Sequence, residues 1–305
     1  MNFQAVGYYI IQPFFWVVSL LPFWLLHRLS DAMYLLVRLA GYRKTIIEKN
    51  LTHSFPNLNT KEIVSIRNRY YHHFCDLFVE TLKLQSISEN EIKRRMVFEN
   101  TELVESYAKQ NKDVIAVLAH YGNWEWIPAI NLHVTPLGVE VYHPLKNKYM
   151  DRFMLKLRSK FGTSNFTMKS TMREILMLKR KNQRFIIGLI SDQSPARVKI
   201  QYRTVFLNQN TPIHLGAEKI AKATGDPVVF LRVEKTGRSR YKATIIPVTD
   251  TPKATADYEI TEQHVRMLEK QIVEKPEYWL WSHKRWKYSP NRLAIDAASL
   301  QVAHE

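Results

Sequence analysis

A histidine and a glutamate five residues apart are the side chains of this sequence whose types and spacing best suit acid–base chemistry. The segment 120–125 reads His-Tyr-Gly-Asn-Trp-Glu, so that His120 begins it and Glu125 ends it. An imidazole can take a proton from an alcohol when its ring is held in one tautomer, and a carboxylate on the other ring nitrogen holds the ring and stabilises the imidazolium. The pair therefore predicts general-base catalysis in which a hydroxyl of the substrate is the nucleophile.

The position of His120 in the chain makes a reaction site as good an interpretation as the alternative, an ordinary surface pair or a hydrogen-bonded histidine of the core. The apolar run 114–119 directly precedes His120, and the turn-forming residues Gly122 and Asn123 follow it. Such a run is typical of a buried strand. Because reaction sites of open α/β sheets lie beyond the carboxyl ends of strands, His120 falls where such a site is expected.

The segment 120–125 resembles the H-x-x-x-x-[DE] signature of glycerolipid-type acyltransferases, and its Gly-Asn-Trp-Glu part is similar to the branch that contains the late acyltransferases of lipid A biosynthesis. Further blocks agree with that branch in order and spacing. They are residues 141–144 with Asn147, Asp151, Arg158 and Gly162, then Asp192 and Gln193 after 185–191, then 215–229, and finally 276–287. The resemblance therefore spans almost the whole chain.

The resemblance implies a direct transfer of an acyl chain. His120 would deprotonate a lipid hydroxyl, Glu125 would orient and stabilise the ring, and the alkoxide would attack an acyl thioester and release the carrier thiol. The implied acceptor is a lipid A precursor, with a lysophospholipid or an aminolipid as alternatives, and the implied donor is acyl carrier protein, with CoA as the alternative. No metal and no cofactor is implied, and the location is the bacterial inner membrane, with the catalytic domain facing the cytoplasm.

Five further side chains are predicted to bind substrate. Asn123 either caps a helix or positions substrate with its amide, and Arg158 lies in a basic helix, where it either faces solvent or contacts a phosphate. Asp192 directly follows the apolar run 185–191, which favours a site residue over a turn former. Gln193 either acts with it or is merely its neighbour. His143 stands where the family usually has arginine, so a titratable side chain replaces a fixed positive charge.

The charge balance implies anionic partners. The 305 residues include 44 Lys and Arg against 28 Asp and Glu, which gives a net charge of +16. Membrane headgroups, acidic proteins and nucleic acid would all suit this charge. No nucleic-acid-binding motif occurs, so we expect no nucleic acid partner. A non-catalytic membrane-binding protein would share the charge but would not need the His120 and Glu125 pair.

An apolar N-terminal run separates the chain into two predicted parts. Residues 5–26 carry no charged side chain and are rich in aromatic residues. This length predicts a helical membrane anchor, although Pro13 and Pro22 interrupt it and a long helix buried in a soluble core is the alternative. Basic residues follow the run, which places the rest of the chain in the cytoplasm. We therefore predict membrane-anchoring helices in residues 1–45 and an acyltransferase domain in residues 46–305.

The remaining periodicity predicts an α/β fold. The predicted strands are 114–119, 139–142, 185–191, 228–233 and 241–248, and the predicted helices are 62–84, 124–132, 149–161, 171–181, 213–223 and 259–274. Continuous apolar strands that alternate with helices are typical of a mostly parallel sheet with helices on both faces. The predicted fold class is thus α/β, with a sheet like that of the glycerolipid acyltransferases and a hydrophobic helical membrane anchor before it.

Overall fold

The computed structural model describes residues 3–288, and a seven-stranded sheet lies at its centre. In chain order the strands are β1 (Met96–Glu99), β2 (Val114–Leu118), β3 (Leu137–Tyr142), β4 (Ser164–Thr167), β5 (Phe185–Ile190), β6 (Arg203–Phe206), β7 (Gln209–Pro212), β8 (Val228–Gly237) and β9 (Arg240–Thr249). The sheet has the order β1-β9-β8-β2-β5-β3-β4, while β6 and β7 form a separate hairpin. Neighbouring strands of the sheet are parallel except for β8 and β9. The predicted mostly parallel sheet is confirmed.

In residues 3–288, ten α-helices surround this sheet. They are α1 (Phe3–Leu20), α2 (Phe23–Leu39), α3 (Lys44–Ser54), α4 (Thr60–Lys83), α5 (Glu89–Arg95), α6 (Thr101–Lys109), α7 (Lys148–Arg158), α8 (Thr171–Arg180), α9 (Gly216–Thr224) and α10 (Glu259–Glu274). The long helix α4 begins with a capping box, because the side chain of Asn59 accepts from the backbone of Glu62 and the carboxylate of Glu62 accepts from the backbone of Asn59. Such reciprocal bonds satisfy amides that a helix start leaves free.

Helices cover both faces of the sheet, and strand β2 shows this by its alternation. Its residues Ala116 and Leu118 pack with buried side chains of α1, α4 and α7. Ile115 and Val117 point to the other face and pack with side chains of α8, α9 and α10. Because a strand buried on both faces reads as a continuous apolar run, β2 could be predicted from its sequence alone.

The predicted N-terminal membrane anchor is wrong. The uncharged run 5–26 is divided between α1 and α2, which are separated by Leu21 and Pro22. Among the described residues, no helix is both long enough and apolar enough to cross a bilayer. Part of the run is apolar because it enters the protein core, where Ala5, Phe15 and Leu26 are buried.

Helices α1 and α2 contact α4 through polar groups as well as apolar ones. The ammonium group of Lys83 donates to the carbonyl oxygens of Ser19 (2.8 Å) and Leu21 (2.9 Å). The hydroxyl of Ser30 donates to the buried carboxylate of Asp76 at 2.7 Å. The bonds from Lys83 satisfy carbonyl groups where α1 ends. The predicted domain division at residue 45 stays a prediction, and residues 289–305 of the predicted second domain lie outside the described residues.

Candidate active site

Two neighbouring strands of the sheet bring His120 and Asp192 together. Strands β2 and β5 are parallel, with Leu118 opposite Ile190. His120 and Asp192 each lie two residues beyond these matched positions. Since parallel strands end at the same edge of a sheet, the two side chains meet at the carboxyl edge, where the strand pattern predicted a site.

The ring of His120 is held by Asp192. The Nδ1 atom of His120 lies 2.8 Å from Oδ1 of Asp192, and the backbone amide of His120 donates to Oδ2 at 3.1 Å. The indole of Trp279 donates to the same Oδ2 at 2.7 Å. Burial alone would raise the pKa of the Asp192 carboxyl, but the charge and hydrogen bonds of His120, with the bond from Trp279, hold this pKa below its usual value. Asp192 is therefore an ionised partner for an imidazolium.

This contact determines which nitrogen of His120 can act as a base. A proton on Nδ1 that is donated to Asp192 leaves the lone pair on Nε2. The amide nitrogen of Gln193 lies 3.2 Å from Nε2. The same amide nitrogen lies 3.4 Å from Nδ1, so it is nearly equidistant from the two ring nitrogens and does not lie along the lone pair of Nε2. The side chain of His120 is 19% exposed, which leaves the ring accessible.

Glu125 pairs with Arg158 and not with His120. The guanidinium of Arg158 donates from Nε to Oε2 of Glu125 at 2.9 Å and from Nη2 to Oε1 at 2.8 Å. Its Nε also lies 3.2 Å from Oε1 of Glu140 on β3. In the described part of the chain no hydrogen bond joins Glu125 to His120. The sequence-predicted pair is therefore brought into one site, but the carboxylate that touches the ring is that of Asp192.

Glu140 is a third carboxyl group beside this site. It shares Arg158 with Glu125, so two carboxylates face one guanidinium. Burial raises the pKa of Glu140 to about 7, against the opposing charge of Arg158. The carboxyl group is thus poised between its neutral and charged forms near neutral pH.

Side chains of helix α4 hold the turn between His120 and Glu125 in place. Asn123 is fully buried, and its amide nitrogen donates to Oε2 of Glu80 at 2.7 Å. It makes no helix-capping bond with its side chain. The ring of His73 donates from Nε2 to the carbonyl oxygen of Gly122 at 3.1 Å. Burial lowers the pKa of His73 to about 3, so this ring is neutral at physiological pH.

Gly122 is required by the path of this turn. Its φ of +61° is a conformation that side chains rarely adopt, and a Cβ at this position would lie 2.9 Å from Cγ1 of Val233. Its amide donates to the carbonyl oxygen of Tyr278 at 3.0 Å, and the amide of Leu280 donates to the carbonyl oxygen of His120 at 3.1 Å. The tryptophan-rich segment near the end of the chain therefore lies against the site, and its Trp279 is buried there.

His143 is not part of this cluster. It is exposed after β3, and its Nδ1 lies 3.0 Å from the carbonyl oxygen of Pro144. No described contact joins it to His120, Asp192 or Arg158. Among residues 3–288, no three His, Cys, Asp or Glu side chains lie close enough together to hold a metal ion.

A narrow apolar cavity of about 40 Å³ lies beside the site. Trp124, whose indole packs edge-on against His120 with ring centres 5.1 Å apart, lines it together with Glu140. Most of the remaining lining comes from β2, β3 and β5 and from the 3-10 helix 124–132, and it includes Ala116, Leu118, Ile127, Gly138, Ile186 and Gly188. The cavity thus begins one side chain away from the proposed base.

Sequence reasoning placed Asp192 in the site but missed its contact with His120, and it missed Glu80 and Glu140 altogether. For Asp192 a signal was available, because His120 and Asp192 both follow the apolar runs that became β2 and β5. Glu140 interrupts a strand between apolar residues, which is unusual for a buried position. Glu80 carries no comparable signal, since a glutamate in a long amphipathic helix normally faces solvent.

Comparisons with known proteins show the family of this chain. Residues 2–288 match the family model of the bacterial lipid A biosynthesis acyltransferases. The chain is 22% identical over 278 residues to the lipid A biosynthesis lauroyltransferase of Escherichia coli (strain K12), covering 90% of this chain and 89% of that one. It is 22% identical over 258 residues to the lipid A biosynthesis palmitoleoyltransferase of the same strain, covering 81% and 80%. The chain therefore belongs to the bacterial lipid A biosynthesis acyltransferase family and is an enzyme that transfers acyl groups.

Proposed function

We propose that this enzyme moves a fatty acyl chain from a thioester to a hydroxyl group of a lipid A precursor, with His120 as the general base. The observation that carries the proposal is the contact of Nδ1 of His120 with the buried carboxylate of Asp192, which leaves Nε2 free to accept a proton. Asp192 orients the ring and stabilises the imidazolium. Glu125 acts through Arg158, which it holds beside the site.

In the proposed reaction, His120 returns the proton that it takes up. No covalent intermediate with the enzyme forms. Nε2 of His120 removes the proton of the acceptor hydroxyl while the oxygen forms a bond to the thioester carbonyl carbon. The tetrahedral intermediate then breaks its carbon–sulfur bond, and the imidazolium returns the proton to the departing thiolate. The products are an ester and a free thiol, and His120 is neutral again. General-base catalysis of this kind typically contributes about 10²- to 10⁴-fold.

We propose that the donor is acyl carrier protein rather than CoA. Exposed basic side chains follow β3, β4 and β5 at the carboxyl edge of the sheet and recur in the segment that lies against His120, namely Lys146, Lys148, Lys169, Arg197, Lys199, Lys284 and Lys287. An acidic protein would meet this edge with favourable charge, and complementary charge raises the rate of encounter. Salt should therefore slow transfer from the carrier protein more than transfer from CoA.

We propose that the enzyme works at the cytoplasmic face of the bacterial inner membrane, because its acceptor is a lipid. Support comes from exposed apolar side chains on α1 and α2, which include Ile10, Phe14, Trp24, Leu36 and Leu39. Large apolar side chains exposed in such number on two consecutive helices suit a membrane or protein contact. The net charge of +16 also suits anionic headgroups.

The function is tested with the purified protein, a lipid A precursor and either acyl carrier protein or CoA charged with the same fatty acid. We expect the precursor to gain the mass of one acyl chain in mass spectrometry, with faster transfer from the carrier protein. The absence of any acylated product from either donor would overturn the proposed function. Equal rates that respond equally to salt would overturn the choice of donor alone.

We propose that the apolar cavity beside Trp124 receives the acyl chain, and Gly188→Ala tests this. A Cβ on Gly188 would lie 3.5 Å from Cδ2 of Leu118 and 3.6 Å from the carbonyl oxygen of Val139, which is ordinary contact. The added methyl group takes space on the cavity face of β5. Since a buried methylene contributes about 0.8 kcal/mol, we expect kcat/KM for the longest accepted chain to fall about fourfold for each methylene excluded.

The measurement for Gly188→Ala is kcat/KM over a series of saturated acyl donors of increasing length. The matched control is Gly216→Ala on α9, where a Cβ would have nothing within 4 Å. We expect the control to keep the chain-length profile of the wild type. An unchanged profile in Gly188→Ala would place the acyl chain somewhere other than in this cavity.

A further inference from the structure

A second, smaller cavity borders Asp192 on the side of the hairpin β6–β7 and helix α10. Its volume is about 10 Å³, which is enough for one water molecule. Much of its lining is apolar, but Asp192, His264 and Arg285 also belong to it. Asp192 therefore has the catalytic histidine on one side and this partly polar cavity on the other.

Arg285 is a buried cation whose donors are mostly unused. Its side chain is only 1% exposed. Nη2 donates to the carbonyl oxygen of Pro212 at 2.8 Å, whereas Nε and Nη1 find no hydrogen-bond partner among the described residues. The Nε2 atom of His264 is likewise without a partner in that part of the chain. Buried donors without partners are costly, and more so when the group is charged, so a bound water that joins them is favourable.

We propose that one water molecule in this cavity links the guanidinium of Arg285 to the carboxylate of Asp192, and that Arg285 is a positioning residue of the His120–Asp192 pair. The proposal rests on the function proposed above, since it assigns Arg285 a part in that reaction. Arg285 touches neither substrate nor His120 and acts through Asp192. A water between the two ions holds the carboxylate on the side of the cavity, while His120 and Trp279 hold it on the opposite side by their hydrogen bonds.

The charge of Arg285 also influences how readily His120 takes up a proton. A carboxylate against Nδ1 favours the imidazolium, which cannot accept a proton from a hydroxyl, and a cation behind the carboxylate opposes this effect. The other titratable groups near Arg285 are the buried His264 and the half-buried His214 and His283, and those near His120 are Glu140 and His283. Burial lowers the pKa of both His264 and His283 to about 4, so these rings are neutral at pH 7. Arg285 is therefore the buried charge that balances Asp192.

The test compares Arg285→Met, which keeps the length but removes the charge, with Arg285→Lys, which keeps the charge. We expect the acidic limb of kcat/KM against pH to move to higher pH by roughly one unit in Arg285→Met, because the imidazolium is no longer opposed. The limb should stay in place in Arg285→Lys. The matched control is Arg67→Met, which removes another buried arginine that pairs with Glu48, and its limb should not move.

A high-resolution crystal structure of the wild-type protein tests the bridge without any activity and without a variant that must fold. We expect a water within hydrogen-bonding distance of both Arg285 and Asp192. A cavity without this water overturns the bridge, and an unmoved acidic limb in folded Arg285→Met overturns the positioning role. If the water is present but the wild-type protein transfers no acyl chain, the proposed function fails while the bridge stands.

Discussion

His120→Ala is expected to lower kcat for acyl transfer by about 10²- to 10⁴-fold, because it removes the only base that the proposed reaction uses. The fold should persist, since the ring is partly exposed and the backbone bonds of residue 120 do not depend on its side chain. Transfer of radiolabelled or mass-tagged acyl chains at saturating donor measures the loss, and a thermal melt measures stability.

A matched histidine variant separates this effect from a general effect of the substitution. His53 is exposed on α3, remote in sequence from the site, so His53→Ala should keep the wild-type rate. If purified His120→Ala transferred acyl chains at nearly the wild-type rate, His120 would not be the base. A melt that fell by many degrees in His120→Ala would instead assign the loss of activity to unfolding.

The central strands and most of the helices could be predicted because their burial gives a regular pattern of apolar residues in the sequence. Strands β2 and β5 are covered on both faces and read as apolar runs, and α4 and α10 carry regular apolar spacing. The edge strands β1 and β4 were missed, since each has four residues and is only partly buried. A short strand of that kind has no pattern that distinguishes it from a loop.

The composition of the N-terminal run does not determine whether its helices lie in a bilayer or pack on the protein core. A helix that packs on a core and exposes apolar side chains has the same residue content as one that lies in a bilayer. In this chain Phe15 and Val18 are buried while Phe14 and Val17 are exposed on the same helix. Tertiary packing decides which face of a helix is covered by its neighbours. A local sequence pattern does not predict this.

The partner of His120 could not be read from spacing, because it lies 72 residues away along the chain. The nearer carboxylate, Glu125, follows a turn with positive φ at Gly122 and lies in the first turn of a 3-10 helix, where it pairs with Arg158. Sequence proximity favoured Glu125, whereas the register of β2 against β5 places Asp192 on the ring. Local motifs locate the candidate site, but strand pairing determines its contacts.

Asp192→Asn is expected to lower kcat by about 10³- to 10⁴-fold with little loss of stability. An asparagine amide can donate to Nδ1 of His120, which would move the ring proton to Nε2 and leave no lone pair for the substrate hydroxyl. Glu125→Gln should behave differently, because its hydrogen bonds go to Arg158. We expect Glu125→Gln to lower the free energy of unfolding by about 1.5–3 kcal/mol. Its loss of kcat should be much smaller than that of Asp192→Asn.

Measuring kcat and thermal stability for Asp192→Asn and Glu125→Gln together decides which carboxylate serves the base. The expected pattern is a large loss of kcat without loss of stability for Asp192→Asn and the reverse for Glu125→Gln. Because Glu140 still faces Arg158 when Glu125 is replaced, the guanidinium keeps one carboxylate and the site should stay folded. If Glu125→Gln instead abolished turnover at unchanged stability while Asp192→Asn stayed active, Glu125 would be the residue that supports His120, as the sequence motif alone predicts.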